Sequence, residues 1–234
     1  MRVNRSIALA ALLAITAGLG PRLAGSQTNG RRIVVTPWAG AFVPATRIGE
    51  LAIDDGSVTT TMGLKQRMAP AVGLNASYWF NSLAGIEVGG AFAFSDAEGS
   101  AGLTSEIPSF TLTGAHSAYV AFGSAKLMVN LLRFTERSAL RLGVGPALIT
   151  RGGNAFKHDG ATVFDGLTDL GGVVSLCSRI PITDFMSARL RAENYMYSAK
   201  VRFDHPSGAS EYTFGSKLQN DMIFSAGLQM VFWR

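Results

Sequence analysis

The chain has 234 residues, 47% of them hydrophobic and 16% charged, with 27 Gly and a mean hydropathy of +0.23, more apolar and glycine-rich than an average soluble domain. Residues 1–26 hold three Arg and no acid, so beyond them 18 bases face 16 acids, and the formal net charge of +5 is no argument for nucleic acid or an acidic partner. A single cysteine, Cys177, excludes an intramolecular disulfide and a cysteine-based metal cluster.

At the N-terminus, Arg2 and Arg5 precede a 14-residue apolar run from Ile7 to Gly20. That run is too short for a membrane-spanning helix of about 20 residues, and it reads as a secretory signal peptide. The small residues Ala24 and Ser26 place cleavage after Ser26, so a signal helix over 1–26 and a mature domain over 27–234 are expected. No cysteine follows the apolar run, so a lipoprotein anchor is not expected.

Eight extended segments follow, at 33–43, 68–80, 86–95, 117–129, 140–150, 169–180, 187–199 and 219–233. Their connections run 24, 5, 21, 10, 18, 6 and 19 residues (44–67, 81–85, 96–116, 130–139, 151–168, 181–186, 200–218), an alternation of long and short. Outer-membrane barrels show that pattern, with short periplasmic turns and longer extracellular loops.

Period-two patterning assigns the faces. In the third segment Ile86, Val88, Phe92 and Phe94 alternate with Glu87, Gly89, Ala91 and Ala93; in the fifth Leu140, Leu142, Val144 and Leu148 alternate with Arg141, Gly143, Gly145 and Ala147. The first set of each is expected to meet lipid. In the seventh, Arg189, Arg191, Glu193 and Tyr195 alternate with Ala188, Leu190 and Ala192, and three charges on one face of a spanning strand must point inward. The fourth is ambiguous, because Lys126 falls in phase with Val120 and Phe122, and a bulge or a position near the interface would explain it.

Aromatics suggest two girdles. Tyr78, Trp79 and Phe80 would stand level with Phe232 and Trp233 at the periplasmic side; Phe92, Phe94, Tyr119, Phe122, Tyr195, Tyr197 and Phe224 would form the outer belt. The interior would contain Glu87, Arg141, Arg189, Arg191, Glu193, Asp221 and Gln229, with Arg189 and Arg191 held by Glu87, Glu193 and Asp221. Eight strands enclose about enough room for side chains to fill, so a plugged polar interior is expected. Glycines at 73, 89, 123, 143, 145, 171 and 227 would relieve crowding on that inner wall.

The last segment, QNDMIFSAGLQMVFWR, carries Met222, Phe224, Ala226, Leu228, Met230 and Phe232 on one face and Asp221, Ser225, Gly227 and Gln229 on the other. In a membrane barrel this strand must pair with the first so that no edge remains in hydrocarbon.

With its signal peptide, TPWAGAFVP in the first segment, ARLRAENYMY in the seventh and the terminal FWR, residues 27–234 resemble the small outer-membrane β-barrels of the OmpA transmembrane-domain, OmpX and OmpW kind. The resemblance implies an eight-stranded antiparallel up-and-down barrel, outer-membrane localisation, contact with membrane lipids and lipopolysaccharide, and insertion by the barrel assembly machinery. Two departures stand out: Trp233 and Arg234 follow Phe232 where such barrels usually end in Phe, and cell-wall anchoring through a C-terminal peptidoglycan-binding domain is not expected.

Catalytic constellations are absent from the pattern. His116, His158 and His205 all fall in the long connections, and Ser117 beside His116 points to the opposite face. Asp54, Asp55 and Glu50 read as a solvated loop more than a cation site, and mid-strand Cys177 as a small packed residue. The expectation is a monomeric, non-enzymatic barrel of structural or envelope-integrity role, with no cofactor, metal or nucleic acid. The alternatives are a narrow OmpW-like channel for small hydrophobic solutes, a lipid-modifying rim enzyme, or a soluble lipocalin-like binder.

Overall fold

The computed structural model describes residues 32–46, 48–54, 58–105, 110–133, 138–158, 161–162, 164–165, 167–204 and 211–233. The expected signal peptide, Asp55, His205 and Arg234 lie outside them, as do the side chains of Glu50, Asp54, His158 and Trp233.

In chain order the strands are β1 (Arg32–Pro44), β2 (Gly49–Asp54), β3 (Val58–Gln66), β4 (Ala69–Trp79), β5 (Ala84–Ala93), β6 (Asp96–Ser105), β7 (Phe110–Arg133), β8 (Ala139–Gly153), β9 (Lys157–His158), β10 (Ala161–Thr162), β11 (Phe164–Asp165), β12 (Thr168–Pro181), β13 (Met186–Asp204) and β14 (Glu211–Trp233). Around the barrel the order is β1-β4-β5-β7-β8-β12-β13-β14, all antiparallel, and β14 returns to β1. The closing seam runs from Ile33 opposite Trp233 to Pro44 opposite Asp221. No edge is left on this ring, which satisfies the backbone without water. The eight expected segments are these eight strands.

The connections depart from expectation. The stretches 44–67 and 96–116 are not plain loops: β2, β3 and β6 lie there and join the upper part of β7 in a sheet ordered β2-β3-β6-β7. Likewise 200–218 is mostly the continuation of the β13–β14 hairpin, paired from Val201–Phe214 out to Asp204–Glu211. The threonine and β-branched content of Val58–Met62 and Phe110–Thr113 suits strands. Strands β7, β13 and β14 reach 24, 19 and 23 residues, well over the roughly 9–11 that cross a bilayer, so they stand out beyond the apolar belt.

That belt is explicit. Leu74, Ile86, Val88, Leu127, Val144, Leu148, Leu190, Phe224 and Leu228 are 46–56% exposed on the outer wall, an apolar surface far larger than a water-soluble monomer presents. Pro146 sits in this wall, and the β7–β8 pairing skips Ala125 and Lys126 opposite it, because proline has no N–H for the ladder. A Cβ at neighbouring Gly145 would run into the Ala125 carbonyl oxygen, so only glycine permits this close approach.

Candidate functional site: the barrel interior

Inward parity on the eight strands brings together four layers. Nearest the short turns, Val34, Trp79, Met128 and Cys177 form a small apolar cluster. Arg141, on β8, stacks its guanidinium 4.3 Å from the Trp79 ring centroid and donates to Asn130 Oδ1 at 3.0 Å and Gln229 Oε1 at 3.3 Å. Those partners stand on β4, β7 and β14, so one side chain links strands across the lumen.

Above it lies an ionic layer. Glu87 on β5 accepts through Oε2 from Arg189 at 2.6 Å and from the Ser77 hydroxyl at 2.8 Å, and its Oε1 lies in ion-pair contact with Arg191 at 2.8 Å and Lys126 at 3.2 Å. Glu193 takes Lys126, Arg191 at 3.1 Å and the Tyr195 hydroxyl at 3.3 Å. Arg189 also donates to Cys177 Sγ at 3.1 Å. All of Glu87, Lys126, Arg189, Arg191 and Glu193 are at most 5% exposed. Burial of this kind is tolerable only with charge-assisted hydrogen bonds on both partners.

Toward the long-loop end the wall turns apolar. The Phe42 and Phe122 ring centroids are 5.7 Å apart and those of Phe122 and Tyr195 are 4.5 Å apart, joining β1, β7 and β13 through the middle. Trp38, Val120, Ile149, Val173 and Ile223 complete the layer. Gly73 belongs to it by necessity, since a Cβ there would fall on the Trp38 indole. At the mouth a second polar group follows: Arg151 bonds Asp169 at 2.7 Å and lies 4.8 Å over the Tyr197 ring, while the Tyr197 hydroxyl donates to Asp221.

Several placements correct the reading from sequence. Trp79 is 5% exposed and points inward; only Tyr78 and Phe80, edge to face at 5.4 Å, remain on the outside of that turn, while Phe232 is half-buried. Phe122, Tyr195 and Tyr197 line the lumen, leaving Phe92, Phe94, Tyr119 and Phe224 outside, with Phe92 stacked on Tyr119 at 5.1 Å. Three consecutive aromatics cannot share one face of a strand. Asp221 pairs with Tyr197, not with Arg189 or Arg191, because its position opposite Tyr195 sets it toward the mouth. Gly123 stands on outward parity with open space around it, so it relieves no crowding on the inner wall. Lys126 keeps parity with Val120 and Phe122 without a bulge, and all three face the lumen.

Arg151, Asp169, Phe42 and Trp38 were missed among the interior groups. The signal was available: Arg151 is in phase with Arg141, one residue past the end of the segment 140–150, and Asp169 is in phase with Gly171 at the first position of the segment 169–180. His116 and Ser117 are both exposed on the projecting part of β7. Among the described residues no set of three or more His, Cys, Asp or Glu is placed to hold a metal ion.

A ring of eight antiparallel strands with an apolar outer wall and long strands at one end has solved counterparts. The outer-membrane protein OprG of Pseudomonas aeruginosa matches with a TM-score of 0.57 at 13% identity, over 88% of this chain and 97% of that one. The outer-membrane protein AlkL, solved in DMPC lipid bilayers, matches with a TM-score of 0.57 at 14% identity, over 92% of this chain and 97% of that one. The fold is that of a small outer-membrane barrel. No family model matches the chain, and no curated protein is significantly similar in sequence.

Proposed function

We propose that this chain is an outer-membrane β-barrel of structural or envelope-integrity role, closed to solute and without catalytic activity, in keeping with the OmpA and OmpX side of its sequence resemblance. One observation carries the reading. Strands β5 and β13 are four places apart in either direction around the ring, yet Glu87 and Arg189 meet at 2.6 Å. The pair therefore bridges opposite walls, and Lys126, Arg191 and Glu193 fill the rest of the section. The Arg141–Trp79 stack below and the Phe42–Phe122–Tyr195 contacts above close two further sections. The outer wall is the surface for membrane lipid, and the projecting strands are the surface for lipopolysaccharide.

The test is reconstitution in planar bilayers. A closed barrel gives a silent membrane at moderate voltage in salt; steady unit conductance overturns the reading. The apolar upper layer favours the second reading, a narrow path for small hydrophobic solutes in the OmpW manner. Uptake of such a solute by proteoliposomes, absent from empty liposomes, would establish it in place of the first.

A further inference from the structure

Among the described residues, the charges of the lower lumen do not balance. Lys126, Arg141, Arg189 and Arg191 are buried there against two buried carboxylates, Glu87 and Glu193; the other buried acids, Asp169 and Asp221, belong to the mouth. The two carboxylates are taken by Lys126, Arg189 and Arg191. Among the described residues Arg141 has the amide oxygens of Asn130 and Gln229 and the Trp79 ring, and no carboxylate. A guanidinium removed from water without a counter-charge is costly.

The register concentrates further charge at the same place. Arg179 on β12 stands directly opposite Arg189 on β13, and Cys177, two residues before Arg179, stands opposite Arg141 on β8. Three arginines thus share one inner patch across three neighbouring strands, an arrangement in which like charges directly opposite repel; Arg179 is half-buried and donates through Nε to Ser187 Oγ at 3.0 Å, so Arg141 is the guanidinium that carries the imbalance. Among the described residues, the donors buried without a hydrogen-bond partner include Trp79 Nε1 and Arg189 Nε in this region. Arg141 is two residues from the start of β8 and Arg179 two from the end of β12, so the patch lies beside the short-turn mouth.

We infer that this patch is a binding site for a small monovalent anion of halide size, held by Arg141, Arg179 and Arg189 against the Trp79 indole N–H and entering from the short-turn side. The inference rests on the inward placement of these side chains, which also underlies the closed-lumen reading. A halide neutralises the unbalanced guanidinium, accepts from the unpartnered donors and needs little room. Its role is to complete the charge balance of the interior, so that folding of the barrel is linked to anion concentration.

The experiment is unfolding of the detergent-refolded barrel with chloride replaced stepwise by gluconate at constant ionic strength. The expected result is a saturable rise of the unfolding temperature with chloride, about 5–10 °C at a hundredfold excess over the dissociation constant, and loss of that dependence in Arg141→Gln. If Arg141→Gln does not refold, Arg179→Gln carries the same comparison, with a weakened half-saturation point. Iodide quenching gives a second readout on the unaltered chain: a saturable component that disappears in Trp79→Phe. A flat chloride response, an equal response in the variants, or a response to phosphate alone overturns the site. A conducting barrel that keeps the saturable chloride response removes the closed lumen and leaves the anion site; a silent barrel with a flat response does the reverse.

Discussion

Glu87 and Arg189 come from opposite strands of the barrel, 102 residues apart in the chain, and meet at 2.6 Å in its centre. Glu87 also meets Lys126, Arg191 and Ser77, so it is the carboxylate that Lys126, Arg189 and Arg191 share. Replacing it by Gln keeps the shape and removes the charge. The expected cost is about 3–5 kcal/mol, the scale for breaking a buried pair, read as a lowered midpoint in urea unfolding from vesicles. Glu87→Gln with Arg189→Gln should lose less than the sum of the two single changes; full additivity would show that the pair is not coupled.

The two faces of β13 make opposite demands. Leu190 is 52% exposed on the outer wall while its neighbours Arg189 and Arg191 are buried. Leu190→Arg places a charge in hydrocarbon and should cost about 2–4 kcal/mol at mid-depth. Ala192→Leu adds apolar surface against acyl chains and should be nearly neutral, whereas Glu193→Leu strands Lys126 and Arg191. Urea titration of the three proteins ranks them, and a damaging Ala192→Leu beside a harmless Glu193→Leu would reverse the faces.

Orientation is testable by thiol labelling on intact cells, since Cys177 is buried and silent. Gly99 lies on projecting β6 with open space where a side chain would start, and Ser82 lies in the short turn after β4. Gly99→Cys should react with an impermeant maleimide and Ser82→Cys only after lysis. Equal reaction of both before lysis contradicts long strands outside and short turns in the periplasm.

The seam depends on the last residues. Val231 pairs with Val34 and Trp233 with Ile33. Deleting Val231–Arg234 exposes that end of β1 as an edge in hydrocarbon, which a bilayer does not tolerate. The truncated chain should lose the migration shift between unheated and heated gel samples that marks a closed barrel; an unchanged shift would show that β14 closes without them.

Much of this was legible in the sequence because a barrel strand reports its two faces with a period of two. The alternation of Ile86, Val88 and Glu87, or of Arg189, Leu190 and Arg191, states which side meets lipid before any partner is known, and a terminal amphipathic strand has to close on the first. The paired length of β7, β13 and β14 beyond the belt was not legible, since a bilayer crossing needs only about 9–11 strand residues and sets no limit on how far a hairpin continues past it. Nor were the partners. Parity says that Asp221 and Arg189 both face inward, but only the shear of the closed ring decides their heights, and it raises Asp221 to Tyr197 while bringing Glu87 across to Arg189. Trp79 shows the same division: its neighbours suggested a girdle, and the ring geometry turned it inward onto Arg141, because adjacent residues on a strand cannot face the same medium.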